Sequence, residues 1–293
     1  MVASSQRFLI TGASGQLGSY LLRDLRQLGA EVVAWSGSAT GERFGFPLQP
    51  IDLRDADRIS RAFRAAAPGI VIHAAAMASV AACYKDPEGA AAINVEGTTL
   101  LAKLTSEAKA RLVHVSTDMV FDGHHAPYRE KATPSPLSVY GRTKADAERA
   151  VTGLRRVATV RFSLLYGPSL TGRPSLHDAM IQAMKQGKTL NLFDDEWRTP
   201  LDLPTAARAL IGIATGAFEG ILHLGGPERL SRLAMGERLA EVLGYKAKFA
   251  AVSRNRGQGE PRPADLSLNS ARWRSLFPKE RWPLYRDAIK AML

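Results

Sequence analysis

The segment Thr11-Gly12-Ala13-Ser14-Gly15-Gln16-Leu17-Gly18 constrains this chain most. Its three glycines recur every third residue, between an apolar run and a helical pattern. Phe8–Thr11 reads as a buried strand, and from Gly18 to Leu28 apolar residues recur at helical spacing, ending at Gly29. In such a turn Gly12 permits a tight bend, Gly15 lets the backbone approach a pyrophosphate, and Gly18 lets helix and strand pack closely. The helix N-terminus, with Ser14, Gln16 and Leu17 around it, offers free N–H groups and a partial positive charge to an anion. The context predicts dinucleotide binding at the first strand–turn–helix of a larger sheet.

The pattern beyond it repeats. Strands are expected at Glu31–Trp35, Gly69–Ala75, Arg111–Ser116 and Ala158–Ser163, and helices at Asp57–Ala67, Asn94–Ala110 and Ser138–Gly153. Strands alternating with helices at this pitch predict an α/β fold, a doubly wound parallel Rossmann sheet. After Tyr166 the pattern changes: helix-rich from Arg173 to Gly187, acidic at Asp194-Asp195-Glu196, then Leu203–Thr215 helix, Ile221–Leu224 strand and Ser231–Leu243 helix. Residues 1–163 are thus expected to form a dinucleotide-binding domain, and 164–293 a smaller C-terminal α/β substrate lobe. The chain should return to the sheet around 199–226, and Ser253–Pro263, rich in Arg, Gly and Pro, should be a loop.

Composition removes several classes of function. Cys83 is the only cysteine among 293 residues, so neither an intrachain disulfide nor a Cys-based zinc site is expected, and an inert packed thiol is. His124-His125 are adjacent, without a spaced ligand partner, and read as loop; no metal site is expected. No apolar run approaches ~18 residues, so no membrane span is expected, and with a strand expected by Phe8 no signal sequence is expected either. A cytoplasmic protein is expected. The net charge of +11 is spread along the chain, without a basic tail or an aromatic-interleaved stripe. Nucleic acid is therefore not the expected partner, whereas a diphosphate-bearing cofactor and an anionic substrate account for the charge.

Tyr140-Gly-Arg-Thr-Lys144 carries the chemistry. Residues four apart share a helix face, so the Lys144 ammonium can lie near the Tyr140 phenol and stabilise its phenolate. That suits Tyr140 to acid–base work. Upstream, Thr117 in Ser116-Thr117-Asp118 ends a strand and offers a hydroxyl.

Together these motifs resemble the short-chain dehydrogenase/reductase superfamily. The spacing Gly-x-x-Gly-x-x-Gly is that of the superfamily; Asp52-Leu53, placed just after the second strand, resembles its adenine-contacting pair. His73-Ala74-Ala75-Ala76 resembles its cofactor-side segment, and Asn94 its structural asparagine. Val115–Gly123, Ser138–Lys144, Arg161–Pro168 and Arg262–Asn269 are similar to the extended branch near dTDP-4-dehydrorhamnose reductase. The resemblance implies Thr117, Tyr140 and Lys144 as catalytic residues, with Tyr140 and Lys144 also at the cofactor. It implies Thr117, Asp118, Met119, Arg262 and Arg256 at the substrate, Arg262 meeting a sugar-nucleotide diphosphate. On the residues alone, Arg262 could instead tie its loop through a carboxylate such as Asp265. Met119 and Leu164 replace the Tyr and Trp that approach the sugar in that branch, so a different sugar is expected, and Met119 cannot supply the acid that a dehydratase needs there.

NAD enzymes place an acid at the end of the second strand. This chain has Trp35-Ser36-Gly37-Ser38, followed by Arg43, which favours NADP(H) and leaves NAD(H) as the alternative. The expected activity is NADP(H)-dependent reduction of a carbonyl on a nucleotide-linked 4-keto sugar; a homodimer is compatible with it. The rivals are a sugar-nucleotide epimerase holding NAD, and a cofactor-binding regulatory subunit similar to the β subunit of methionine adenosyltransferase.

Overall fold

The computed structural model describes residues 6–255 and 259–293; Arg256, expected at the substrate, lies outside them. An eight-stranded sheet runs in the order Gly220–Leu224, Val157–Phe162, Arg111–Thr117, Ile70–His73, Phe8–Thr11, Val32–Ser36, Phe46–Pro50 and Glu42–Arg43. The first strand of the sequence is central. It pairs in parallel with Ile70–His73 on one side and Val32–Ser36 on the other, so its residues are buried on both faces and uniformly apolar apart from Thr11. This is the doubly wound arrangement expected from the alternating pattern.

Two neighbouring strands of this sheet were not legible. Phe46–Pro50 pairs in parallel with Ala34–Ser36, and Glu42–Arg43 folds back on it antiparallel. Pro47 and Pro50 disguise it, since proline lacks the ladder N–H and reads as a turn; at the rim of a sheet it is tolerated. Asp52-Leu53 therefore follow the fourth strand in sequence, not the second. The helix expected at Asn94–Ala110 is also composite: Pro87–Ala91 passes through a π-turn, Ala92–Glu96, into Gly97–Glu107.

Two compact units interleave along the chain. The first comprises residues up to Thr117, Val139–Val160 and Ala207–Leu222; the second comprises Asp118–Ser138, Arg161–Ala206 and His223–Leu293. A division after residue 163 with a return around 199–226 was expected; the chain leaves the first unit at Asp118, re-enters it at Val139, leaves again after Val160, and is in it once more over Ala207–Leu222. In the second unit, helix Leu176–Lys185 starts with a reciprocal cap between Ser175 and Asp178. Thr189–Phe193 pairs in parallel with Lys248–Val252, and helix Arg232–Leu243 ends on Gly244 at φ +71. A core including Met180, Leu192, Leu239, Tyr285 and Ile289 joins these elements. No helix among the described residues is long and apolar enough to cross a membrane.

The glycine turn is dictated by space. A Cβ on Gly18 would fall on the carbonyl oxygen of Gly12, and one on Gly12 would sit 2.8 Å from the Ala74 carbonyl carbon and the Ala75 nitrogen. Gly18→Ala must therefore push the Gln16–Gln27 helix off the first strand. Unfolding free energy should fall by about 1–3 kcal/mol, the cost of overpacking, seen as a lower denaturant midpoint. A variant that unfolds with the parent would show that the helix can shift without loss.

Candidate active site

In the first unit the glycine turn forms one wall of a cavity of about 650 Å³. Of the residues expected at a cofactor, Gly12, Ser14, Gly15, Gln16, Leu17, Gly18, Ser36, Asp52, Leu53 and Ala74–Ala76 all line it. The cradle fits a dinucleotide: Gly12 and Gly18 leave no room for side chains, and the Gln16–Gln27 helix begins on the cavity wall. Arg43 is not on the lining; its Nη1 donates to Ser19 Oγ at 3.1 Å. The Ser36 hydroxyl closes its own loop, donating to the Ala39 carbonyl at 2.5 Å. The guanidinium on the wall is Arg54, forked onto Asp52 with Nε to Oδ1 at 3.0 Å and Nη2 to Oδ2 at 2.6 Å. This pair holds the Asp52 carboxyl below its usual range. An Asp-x-Arg spacing after a strand is the signal that could have revealed it.

The loop beside the turn is held from below by a fully buried histidine. Thr98 Oγ1 donates to the Asn94 carbonyl at 2.7 Å, so it accepts from His73 Nε2–H at 2.9 Å. His73 Nδ1 then accepts from Thr11 Oγ1 at 2.7 Å, and that oxygen accepts the Ala75 N–H at 3.1 Å. The network thus assigns the tautomer. Burial, and then the nearby Lys144 charge, push His73 down to about 3, so the ring stays neutral. Asn94 does not line the cavity. Its Oδ1 accepts the Met77 N–H at 2.8 Å, and its Nδ2 donates to the Met77 carbonyl and to Thr143 Oγ1. Thr143 in turn donates to the Tyr140 carbonyl at 2.9 Å. Asn94 is a brace between loop and helix.

Tyr140, half-buried, opens helix Val139–Val151, and Lys144 follows one turn later, fully buried. Lys144 Nζ donates to the Val115 carbonyl at 2.7 Å and stands 3.3 Å from His114 Nε2. Burial pushes its ammonium down to about 8, opposed by the negative charge of Glu148. Glu148 accepts from Ser116 Oγ at 2.5 Å, tying the helix to the strand that ends at buried Thr117. The first unit therefore carries Thr117, Tyr140 and Lys144 on one strand end and one adjoining helix.

In the second unit the expected substrate residues separate. The Asp118 carboxylate accepts from Ser163 Oγ at 3.1 Å and lies 3.5 Å from Arg198 Nε, as an internal tie. Met119, half-buried, sits on the short helical turn Asp118–Val120. Arg262 lines a cavity of about 220 Å³ with Arg232, Asn191 and Phe193, its guanidinium 4.8 Å from the Phe193 ring centre. The expected alternative tie to Asp265 is not made: Asp265 pairs with Arg229 at 2.7 Å. Arg262 pairs instead with Glu196 at 3.5 Å, a buried carboxylate that Arg198 and Arg232 also approach, at 3.5 and 3.6 Å. In sequence Asp194-Asp195-Glu196 reads as an acidic stretch; the alternation Glu196-Trp197-Arg198 is the signal that one of the three turns inward.

The family model described as the RmlD substrate binding domain matches residues 6–293. The chain is similar to the probable dTDP-4,6-dihydroxy-2-methyloxan-3-one 4-ketoreductase of Streptomyces antibioticus, 32% identical and covering 97% of this chain and 93% of that protein. It is similar to methionine adenosyltransferase 2 subunit beta of Pongo abelii, 28% identical over 99% of this chain and 87% of that one. Among solved structures, dTDP-4-dehydrorhamnose reductase from Bacillus anthracis in complex with NADP superposes with a TM-score of 0.87. It covers 98% of each chain at 23% identity, which establishes a shared fold.

The Asn94 brace gives a test independent of any ligand. Asn94→Ala leaves the Met77 N–H without its buried acceptor and should lower unfolding free energy by about 1–3 kcal/mol. Denaturant titration measures it; an unchanged midpoint would mean that water replaces the amide.

Proposed function

The chain belongs to the RmlD substrate-binding-domain family, and from that membership we propose that it is an NADP(H)-dependent reductase of a nucleotide-linked 4-keto sugar. The observation that carries the reading is the buried Lys144, one helical turn from Tyr140 and anchored on the strand that ends at Thr117. A structural lysine would extend its head to water; this one is drawn inside, where its charge acts through low dielectric.

The nicotinamide, when bound, supplies the hydride that the carbonyl carbon accepts. Tyr140 gives its phenol proton to the carbonyl oxygen and is left as phenolate. Thr117 donates a hydrogen bond to that oxygen and orients it. Lys144, held down to about 8 by burial, keeps its charge near neutral pH and favours the phenolate. Solvent then restores the phenol proton. The diphosphate of the substrate is assigned to Arg262 and Arg232, whose cavity combines two guanidinium groups with the Phe193 ring.

The likeness to methionine adenosyltransferase 2 subunit beta supports a second reading, a cofactor-binding regulatory subunit. An epimerase would use the same catalytic set and return the hydride to the other face. NADPH oxidation, screened against a panel of nucleotide-linked keto sugars, separates the three. Steady oxidation supports the reductase, isomerised product without net oxidation the epimerase, and silence with a co-purifying enzyme the regulatory subunit.

Tyr140→Phe should lower turnover by about 10²–10⁴-fold, the contribution of general acid catalysis, while NADPH titration gives an unchanged affinity. Equal turnover at saturating cofactor would remove Tyr140 from the mechanism. Arg262→Ala should weaken nucleoside diphosphate binding by about 1.5–3 kcal/mol in calorimetry; a variant that loses only stability would make Arg262 a structural tie. For cofactor choice, Arg54→Ala should narrow the preference for NADPH over NADH more than Arg43→Ala, because Arg54 stands on the cavity wall. The opposite ranking would return the 2′-phosphate to Arg43.

A further inference from the structure

His114 is the residue that this mechanism leaves idle. It lies on strand Arg111–Thr117, fully buried, with its ring 5.6 Å from that of His73 on the neighbouring strand. Its Nε2 stands 3.3 Å from Lys144 Nζ, while its Nδ1 is buried with no hydrogen-bond partner. An ammonium has three donors and no acceptor. Facing it, Nε2 must present its lone pair, since a proton there would set two donors against each other. The ring proton is then on Nδ1, where no acceptor meets it. A buried unpartnered donor is costly, and the opposite tautomer would bring only the conflict with Lys144.

We propose that His114 is a positioning residue for Lys144: as the neutral Nδ1–H tautomer it accepts one ammonium hydrogen while the Val115 carbonyl accepts a second, leaving one N–H of Lys144 for the Tyr140 phenol or a bound ribose. The inference rests on the reading of Lys144 as part of the catalytic set, and goes beyond it by saying what fixes the direction in which that group can donate.

The groups acting on this contact are few. Lys144 and, through it, Glu148 come from helix Val139–Val151, and His73 comes from the adjacent strand. On His114's own strand, Arg111 is turned to the Ile213 and Phe218 carbonyls. Burial, then Lys144, then His73 keep His114 far below the ordinary histidine range, so the ring is neutral throughout the working range. It therefore acts as a fixed acceptor that stabilises the charged amine. Removing it while keeping the site apolar must lower the Lys144 titration midpoint, because burial would then act with one compensating bond fewer.

The test uses the full chain. In ¹⁵N-histidine-labelled protein, His114 should show the neutral Nδ1–H pattern at about pH 7, near the working range of a general acid. In ¹³C-lysine-labelled protein, with Lys144→Met identifying the resonance, His114→Leu should move the Lys144 midpoint down by about one pH unit, within the span of desolvation shifts. His114→Gln, whose amide oxygen can accept, should restore it. The alkaline limb of kcat for NADPH-dependent reduction should follow the same order. An Nε2–H tautomer, or a Lys144 midpoint identical in parent and His114→Leu, overturns the proposal. If His114→Leu does not fold, the tautomer spectrum of the parent decides alone. Should Lys144→Met retain full turnover, the catalytic reading of Lys144 fails, while the two titrations still report whether His114 holds the amine.

Discussion

The first unit depends on a chain of buried hydrogen bonds that crosses its sheet at the ends of the central strands. Thr11, His73, Thr98 and Asn94 pass donors and acceptors from the first strand to the π-turn, and Asn94 carries the chain on to Met77 and Thr143. Each of these groups is polar and buried, so an unmade bond would cost more than a made one contributes. The network therefore permits essentially one arrangement of the Ala74–Ala76 loop against Gly12. The glycine turn supplies the space, and the network supplies the reason why the neighbouring backbone stays close enough to need it. The π-turn fits this account, because it directs Asn94 to both partners where regular helix would rotate it away.

In the second unit the corresponding constraint is electrostatic. Glu196 and Asp118 are almost wholly buried among Arg198, Arg232 and Arg262. Charges taken from water must be compensated by one another, and three guanidinium groups against two carboxylates leave an excess of positive charge. Arg262 is the most exposed of the three and also rests on Phe193, so its head can change partner at the least cost in desolvation. Breaking the buried Arg198 contacts would cost more.

What was legible in the sequence was local. The Tyr140–Lys144 spacing, the glycine turn and the strand–helix alternation each depend on residues a few positions apart, and each gave the right element. Phe46–Pro50 was hidden because its membership of the sheet depends on pairing with Val32–Ser36, while its prolines argue locally for a turn. Glu196 and His114 were hidden for a related reason. Nothing near them in sequence tells a solvated carboxylate from one ringed by arginines, or an ordinary core histidine from one that faces an ammonium. Arg43 shows the reverse case, a cation at a suggestive distance along the chain whose side chain is turned to Ser19 and is not on the cavity lining.

The Phe46–Pro50 strand has a consequence for the rim of the sheet. An open edge ordinarily presents a row of unpaired N–H and C=O groups onto which another polypeptide can add. Here Pro50 has no N–H to offer, the Leu48 N–H is spent on the Gly41 carbonyl, and the charged pair Glu42–Arg43 folds over the outside. Pro50, which helps conceal the strand from a sequence reader, also removes a donor from its outer side, and the outermost strand, two charged residues long, leaves little edge onto which another chain could add.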